Sequence, residues 1–228
     1  EMTNLTESGY SDNNAKWVLD GKAMIWSSDR AGYRSHGSWG AQSDVYIMFF
    51  DGEAYDKFRL SKEEQALLDE EKQDQKSDTD KGKDKDAKKD KDKDKDKNKD
   101  KKEEPTVEPL KFDLANRKDR IMRLTVNSSF LGDAVLTPKG DKLYYCAAFE
   151  SGYDLWEHDF KENTTKLLIK GVGGGSMFAD KKGENIFLIS GGQLKKIEVK
   201  NSKTAPIAFK AEFSYRPAKE REYIFHHT

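Results

Sequence analysis

Short apolar runs separated by glycine turns recur along the chain and predict β-strands. In "KWVLDGKAMIWSSDR" two apolar runs meet at Asp20-Gly21 and end at a polar Ser-Ser-Asp-Arg. An Asp-Gly pair supplies the positive φ angles of a tight hairpin turn, and β-branched and aromatic residues favour strands. This stretch therefore predicts a two-stranded hairpin.

The same succession of loop, apolar run and glycine turn occurs in "LTESGYSDNNAKWVLDGK", "LTVNSSFLGDAVLTPKGD" and "LIKGVGGGSMFADKKGE". Gly140 and Gly183, the turn glycines of the last two, are 43 residues apart, and a four-stranded propeller blade spans about 40 to 45 residues. The opening hairpin is then the pair of inner strands of a blade. The second, third and fourth strands are predicted at 23–26, 45–50 and 119–125, at 143–149, 153–160 and 164–170, and at 186–189, 193–199 and 204–210.

The pattern predicts an all-β fold, a partial β-propeller of about three four-stranded antiparallel blades with a disordered charged insert and a short C-terminal helix. Three blades cannot close a ring, so we expect either further blades with exposed faces or pairing with another copy. The predicted divisions are 1–60 for strands 1 to 3 of the first blade, 61–107 for a helix start and the insert, 108–125 for the closing strand of that blade, 126–170 and 171–212 for the second and third blades, and 213–228 for a connector helix.

The charge of the chain is concentrated in the insert. Residues 80–102 contain 12 Lys and 8 Asp, and a segment without apolar residues is expected to be disordered. The insert begins with "SKEEQALLDEEKQ", in which Ser61 and Glu64 form a capping box for a helix. The tract is interpreted as a solvated loop, with a tether or partner-binding polyampholyte as the alternative.

Charge and composition argue against some classes of function. The net charge of the whole chain is −1, and balanced charge gives no reason to expect nucleic acid as a partner. There is no apolar run of about 20 residues to predict a transmembrane segment. The single cysteine, Cys146 in "LYYCAAF", is interpreted as a small buried hydrophobe on a strand.

Neither a cofactor nor a metal is predicted. "DKDKDK" imitates the spacing of calcium ligands, but from Asp90 the positions that need Gly and Glu are Lys95 and Lys101. "GVGGGS" matches neither dinucleotide-binding nor P-loop spacing, and it is interpreted as the crossing between two blades. His158 has no second ligand at a useful spacing and is predicted to be half-exposed on a strand.

Several motifs together resemble a known family. "WVLDGKAMIWSSDR" followed by "SDVYIMFFDGE" resembles the propeller repeat of TolB-type and tricorn-type proteins. The ordered series "AYDKFRLSKEE", a Lys-rich insert, "KFDLANRKDRIMRLTVNSS", "GDKLYYCAAFESGYDLWEHDF", "GVGGG" and "AEFSYRPAKEREYIFHH" resembles the tricorn-like serine peptidases of the carboxy-terminal processing class. The resemblance covers essentially the whole chain apart from the insert.

The resemblance implies a function for the parent protein. In tricorn-like peptidases the catalytic Ser, His and acidic residue, with a PDZ-like module, follow the propeller, so the catalytic residues are expected beyond Thr228 and this chain is expected to be inactive. The chain would guide or gate peptide or unfolded protein substrates in a periplasmic or secreted bacterial protein. Its implied partners are the remaining blades and catalytic core of the same protein, and further copies in a homo-oligomer. The alternative is a TolB-like interaction module that is part of no enzyme.

One loop carries the candidate contact residues, Tyr33, Arg34, His36 and Trp39, in "YRSHGSWGAQSD". Loops on a rigid scaffold often bind partners, and an exposed Trp would favour contact with a peptide or a neighbouring domain. The alternative is a loop that only decorates the rim. The same loop contains His36, Ser38 and Asp44, but clustering in sequence supplies neither a hydrogen-bonded base nor an oxyanion hole, and no catalysis is predicted there.

Overall fold

The computed structural model describes residues 2–68, 70–71, 109–110, 112–212 and 214–227. Twelve strands in these residues form three antiparallel sheets of four consecutive strands, which we call blades 1, 2 and 3. The fold is therefore a partial β-propeller, as predicted. Blade 1 contains β1 (Asp12–Val18), β2 (Ala23–Ser28), β3 (Asp44–Phe49) and β4 (Ile121–Arg123); blade 2 contains β5 (Phe130–Leu136), β6 (Lys142–Ala148), β7 (Asp154–Asp159) and β8 (Thr164–Ile169); blade 3 contains β9 (Ser176–Ala179), β10 (Asn185–Ser190), β11 (Gln193–Glu198) and β12 (Lys203–Pro206).

Helices lie between the third and fourth strands of blade 1 and after blade 3. Helix α1 (Gly52–Arg59) begins at Asp51, whose carboxylate accepts a hydrogen bond from Ala54 N at 3.2 Å, and the sequence reasoning missed it. Helix α2 (residues 62–68) has the predicted capping box, since Ser61 N donates to Glu64 Oε2 at 2.8 Å and Glu64 N donates to Ser61 Oγ at 3.2 Å. Helix α3 (Pro217–His227) is the predicted C-terminal helix. The disorder predicted for the insert beyond about Gln75 lies outside the described residues.

The hairpin turn between β1 and β2 has the predicted geometry. Asp20 has φ 53° and ψ 37°, Gly21 has φ 83°, and Lys22 N donates to Leu19 O at 3.1 Å. The angles of Asp20 and Gly21 are those of a type I′ turn, and Leu19 before them also has a positive φ of 52°.

Two predicted strands are shorter than expected. The prediction of a strand over 119–125 is wrong at its start, because Arg117–Arg120 form a 3₁₀ turn. The guanidinium of Arg120 is buried there and donates to Phe49 O at 3.0 Å and to Asp113 Oδ2 at 2.9 Å. Strand β12 ends at Pro206 rather than at residue 210.

Two hydrophobic interfaces hold the blades face to face. At each interface the side chains on one face of a blade pack against one face of the next blade. Because successive side chains of a strand point to opposite faces of the sheet, blade 2 contributes one face to blade 1 and the other to blade 3. Buried residues between blades 1 and 2 are Ala23, Ile25, Val45, Ile47, Phe49, Leu124, Ala134, Leu136, Leu143, Tyr145 and Ala147. Those between blades 2 and 3 are Val135, Tyr144, Cys146, Leu155, Val172, Met177, Ile186, Leu188 and Ile197.

The outer faces of the three-blade arc differ. Blade 1 buries Trp26, Tyr46, Met48 and Phe50 on its outer face, beneath Leu5 of the N-terminal segment and Leu114. Arg117 fixes this cover by donating to Leu5 O at 2.8 Å and Leu114 O at 2.7 Å. On blade 3, Phe178 and Ile189 are exposed. No hydrophobic cluster of the described residues joins blade 3 back to blade 1, so the described arc is open.

A polar contact, the Lys16 latch, joins the inner strands of all three blades. Lys16 of β1 donates from Nζ to Asp133 Oδ2 and Ala134 O of β5, at 2.5 and 3.0 Å, and to Met177 O of β9 at 2.9 Å. Asp133 Oδ2 in turn accepts from Met177 N at 2.7 Å. The side chain of Asp133 is only 8% exposed, so the latch pairs a buried charge and ties blade 1 directly to blade 3.

We expect Lys16→Met to lower the free energy of unfolding by about 3 kcal/mol, because it leaves the Asp133 carboxylate buried without its cation. Urea denaturation followed by tryptophan fluorescence would measure the change. Lys118→Met is the control, since the Lys118–Glu7 pair is exposed and such pairs contribute little to stability. Equal effects of the two substitutions would show that the latch does not stabilise the arc.

Candidate functional site

The inner strands of the three blades enclose a cleft of about 760 Å³ at the axis of the arc. It lies at the end where each inner strand runs into its turn. The Lys16 latch borders the cleft, because Lys16 and Met177 are both part of its wall. The residues that line it are Lys16, Trp17, Val18, Leu19, Asp20, Gly21 and Ile25 from blade 1, Val135, Leu136, Thr137 and Pro138 from blade 2, and Met177, Phe178, Ala179, Asp180 and Lys181 from blade 3.

Two partly exposed aromatic side chains, one from blade 1 and one from blade 3, belong to the wall of the cleft. Trp17 is 57% exposed and Phe178 is 52% exposed. The ring of Trp17 is supported by Phe50 and Phe112, with centroids 5.4 and 6.0 Å away. Lys16 Nζ lies 5.6 Å from the centroid of Phe178. The cleft therefore offers supported aromatic surface to an apolar side chain.

Two charged groups of the cleft are bound to other groups of the fold, and two others form no ion pair with the described residues. Lys16 is neutralised by Asp133, and Asp180 accepts from Asn185 Nδ2 at 2.7 Å and so holds the turn after β9. Burial alone would raise the pKa of Asp180, but its hydrogen bonds from Asn185 and the turn amides outweigh burial and lower it. Asp20 of blade 1 and Lys181 of blade 3 form no ion pair with the described residues.

The lining of the cleft is mainly apolar, with two aromatic side chains and the strand edges of β1, β5 and β9. Apolar and aromatic surface beside strand edges is suited to an extended polypeptide.

Comparison with known proteins identifies the fold. No protein-family model matches this sequence, and no curated protein matches it. The solved structure of the tricorn protease is similar over 90% of this chain and 18% of that chain, with a TM-score of 0.53 and 9% sequence identity. The chain has the fold of a propeller segment.

A second solved structure, TolB from Acinetobacter baumannii, aligns with 90% of this chain and 34% of that chain, with a TM-score of 0.43 and 10% identity. The chain thus spans less than a fifth of the tricorn chain and about a third of the TolB chain.

The predicted contact loop, residues 33–44, projects Trp39 and Tyr33 into solvent, 85% and 75% exposed. Arg34 fixes the loop, since its guanidinium donates to Asp29 Oδ1 at 3.0 Å and lies 5.2 Å from the ring centroid of Tyr10. His36 begins a short 3₁₀ turn beside them. The exposure of Trp39 favours the contact interpretation, which stays a prediction.

The structure places this loop away from the cleft. The loop follows the end of β2, where Ser28 pairs with Asp12, whereas the cleft lies at the other end of the hairpin, where Ala23 pairs with Val18. The two candidate surfaces are therefore at opposite ends of blade 1.

Asp44, the acidic member of the His36, Ser38 and Asp44 cluster, is part of a buried hydrogen-bond network. Its Oδ1 accepts from Arg123 at 2.8 Å and from Thr125 at 2.7 Å, and its Oδ2 accepts from Ser128 at 2.7 Å. The carboxylate is thus occupied in joining β3 to the segment that enters blade 2.

Three other residues of the sequence analysis have clear places. Cys146 is fully buried on β6, as predicted, and burial raises the pKa of its thiol to about 12. Gly175 lies at the crossing from β8 to β9, where a Cβ would stand 1.9 Å from Ile189 O, so only glycine fits. The prediction that His158 is half-exposed is wrong: it is buried against Phe160, its Nδ1 lies 2.8 Å from Thr165 Oγ1, and burial lowers its pKa.

The described residues contain no group of three or more His, Cys, Asp or Glu placed to hold a metal ion. No helix among them is both long and apolar enough to cross a membrane.

The sequence analysis missed the residues of the latch and the cleft. A signal was present, because Lys16 and Asp133 are charged residues within apolar strands, in "NAKWV" and "LGDAVL". Charged residues are rarely buried unless paired. Charged residues within the first apolar strand of each repeat would have drawn attention to both positions.

Asp12 anchors the segment that leads from β2 into the contact loop. Its carboxylate accepts from Ser8 Oγ at 2.7 Å, from Trp26 Nε1 at 3.1 Å and from the Arg30 guanidinium at 3.1 Å. Burial alone would raise the pKa of Asp12, but these hydrogen bonds and those from Ser28 and Thr6 outweigh it and lower the pKa to about 2. The ionised form is therefore held in the folded protein.

We expect Asp12 to contribute about 2 kcal/mol of stability that is complete above pH 4 and is lost as the pH falls from about 4 to about 2, because its pKa is lower in the folded state. Asp12→Asn should remove this contribution, as measured by urea denaturation between pH 2.5 and 6. Asp56→Asn, at an exposed position on α1, is the control and should keep the wild-type pH profile. Parallel profiles for wild type and Asp12→Asn would contradict the expectation.

Proposed function

We propose that this chain is the non-catalytic propeller portion of a tricorn-like serine endopeptidase, which guides or gates peptide substrates toward a catalytic domain elsewhere in the parent protein. The observation that carries the proposal is the axial cleft with Trp17 and Phe178 in its wall. The fold similarity to the tricorn protease and the ordered motif series support it.

The cleft is suited to unfolded rather than folded protein. A volume of about 760 Å³ accommodates a short stretch of extended chain but no folded domain, and binding of apolar side chains to aromatic walls removes apolar surface from water. A substrate retained here would be held at the propeller axis.

In this proposal the parent enzyme cleaves by acyl transfer to a serine, and the catalytic residues are supplied outside this chain. The resemblance supports a periplasmic or secreted bacterial protein, with the remaining blades, the catalytic core and further copies of the protein as partners.

A second candidate function is a TolB-like interaction module without protease activity. The exposed Trp39 and Tyr33 on the fixed loop favour it, since aromatic residues are enriched at interfaces between proteins. In this alternative the loop, rather than the cleft, is the binding surface.

We expect casein to be hydrolysed by the parent protein extended past Thr228 and not by the 228-residue chain, as measured by release of fluorescent fragments. His36→Ala in the parent is the control and should keep full activity. Hydrolysis by the chain alone that is abolished by this substitution would place the active site in the loop and contradict the proposal.

We expect Phe178→Ala to weaken binding of reduced, carboxymethylated casein about tenfold, because it removes roughly 50 Å² of apolar contact in the cleft. Trp39→Ala, an aromatic truncation at the opposite end of the fold, is the matched control. Fluorescence anisotropy measures both. Loss of binding with Trp39→Ala and not with Phe178→Ala would favour the interaction module.

A further inference from the structure

Among the described residues, the inner strands β5 and β9 each have one edge without a neighbouring strand, and this edge faces the axis. In an antiparallel pair, residues of alternate rows direct both N–H and C=O away from the partner strand. The hydrogen bonds of the Lys16 latch show which residues of β9 lie in the outward-facing rows. Met177 of β9 donates its N–H to Asp133 and accepts from Lys16 Nζ, so both of its backbone groups point to the axis.

The next outward row of β9 is Ala179. Asp180 N donates to Asn185 O at 3.0 Å, so these two residues form a hydrogen-bonded pair. Ala179, opposite Ile186 in the register, is therefore in a non-hydrogen-bonded row, and its N–H and C=O point away from β10. Since Ala179 lines the cleft, these groups are directed into it.

Strand β5 repeats the arrangement at Leu136, because Thr137 N donates to Lys142 O at 2.9 Å and Ala134 O accepts from Lys16. Leu136 is only 6% exposed, whereas Ala179 is exposed and follows the aromatic Phe178. Strand β9 is therefore the accessible edge.

We propose that the cleft binds an extended polypeptide by β-strand addition to β9, with main-chain hydrogen bonds to Ala179 and an apolar side chain against Trp17 and Phe178. This rests on the proposed function and names how that site would recognise its substrate. An unpaired strand edge recognises the main chain of any sequence, and the pockets beside it select side chains.

The charges of the cleft define the occupant further. Asp20 of the β1–β2 turn and Lys181 after β9 carry opposite charges on the blade 1 and blade 3 sides of the cleft. They complement a strand with apolar residues at alternate positions, a basic residue toward Asp20 and an acidic residue toward Lys181.

The test uses a fluorescein-labelled eight-residue peptide in which phenylalanine alternates with threonine between a terminal lysine and a terminal glutamate. Ala179→Pro removes the N–H that faces the cleft but no ladder hydrogen bond, a placement that edge strands tolerate. We expect it to weaken binding about tenfold with little change in the melting temperature.

Thr204→Pro is the matched control, on the outer edge strand of the same blade. Ile207 N donates to Leu194 O at 2.8 Å, and the register then places Thr204 and Pro206 in outward rows of β12. A proline is already present in one such row, so Thr204→Pro should leave the fold and peptide binding unchanged.

A second measurement leaves the protein unaltered. N-methylation of one alternate set of peptide amides should weaken binding about tenfold, while methylation of the other set should not, because only every second amide faces β9. Wild-type binding that tolerates both methylated peptides and Ala179→Pro would overturn strand addition and leave the proposed function standing. Absence of binding of both this peptide and carboxymethylated casein would overturn both.

Discussion

The ammonium group of Lys16 holds the inner strands of all three blades in one arrangement. Its three acceptors are on β5 and β9, while the lysine itself is on β1. The apolar interfaces between blades are extensive but not directional, because hydrophobic burial depends on area rather than on orientation. Hydrogen bonds to a buried carboxylate and two carbonyls require particular distances and angles. The latch therefore fixes where each inner strand lies relative to the other two.

The latch also explains why the cleft lies where it does. The free edges of inner strands carry backbone groups that need partners, and at the level of Ala134 and Met177 the latch supplies them. The described cleft wall contains two lysines, Lys16 of the latch and Lys181 beyond β9, and Lys16 is already bound to the row of Ala134 and Met177. The latch thus occupies the backbone groups of that row. The backbone groups of the next row, at Leu136 and Ala179, face the cleft. Stability and binding thus use the same backbone periodicity.

Local features could be predicted from the sequence, and contacts between blades could not. The Asp20-Gly21 turn and the Ser61–Glu64 capping box depend on residues adjacent in sequence, and both have the expected geometry. Lys16 and Met177 are 161 positions apart, and no local pattern states that they meet. His158 was misjudged for the same reason, since its burial against Phe160 and Thr165 depends on packing rather than on strand alternation. The cleft depends on three strands that are brought together only by the tertiary fold.

The two outer faces of the arc differ in how readily they could accept a further blade. A blade packed against blade 1 would have to displace Leu5 and Leu114 and break the hydrogen bonds with which Arg117 holds them. Blade 3 offers an apolar face at Phe178 and Ile189 that the described residues leave exposed, so in the proposed parent a further blade would pack there. Phe178 belongs both to that face and to the wall of the cleft. A blade docked on blade 3 would therefore buttress this ring and make the cleft more rigid, as Phe50 and Phe112 already do for Trp17.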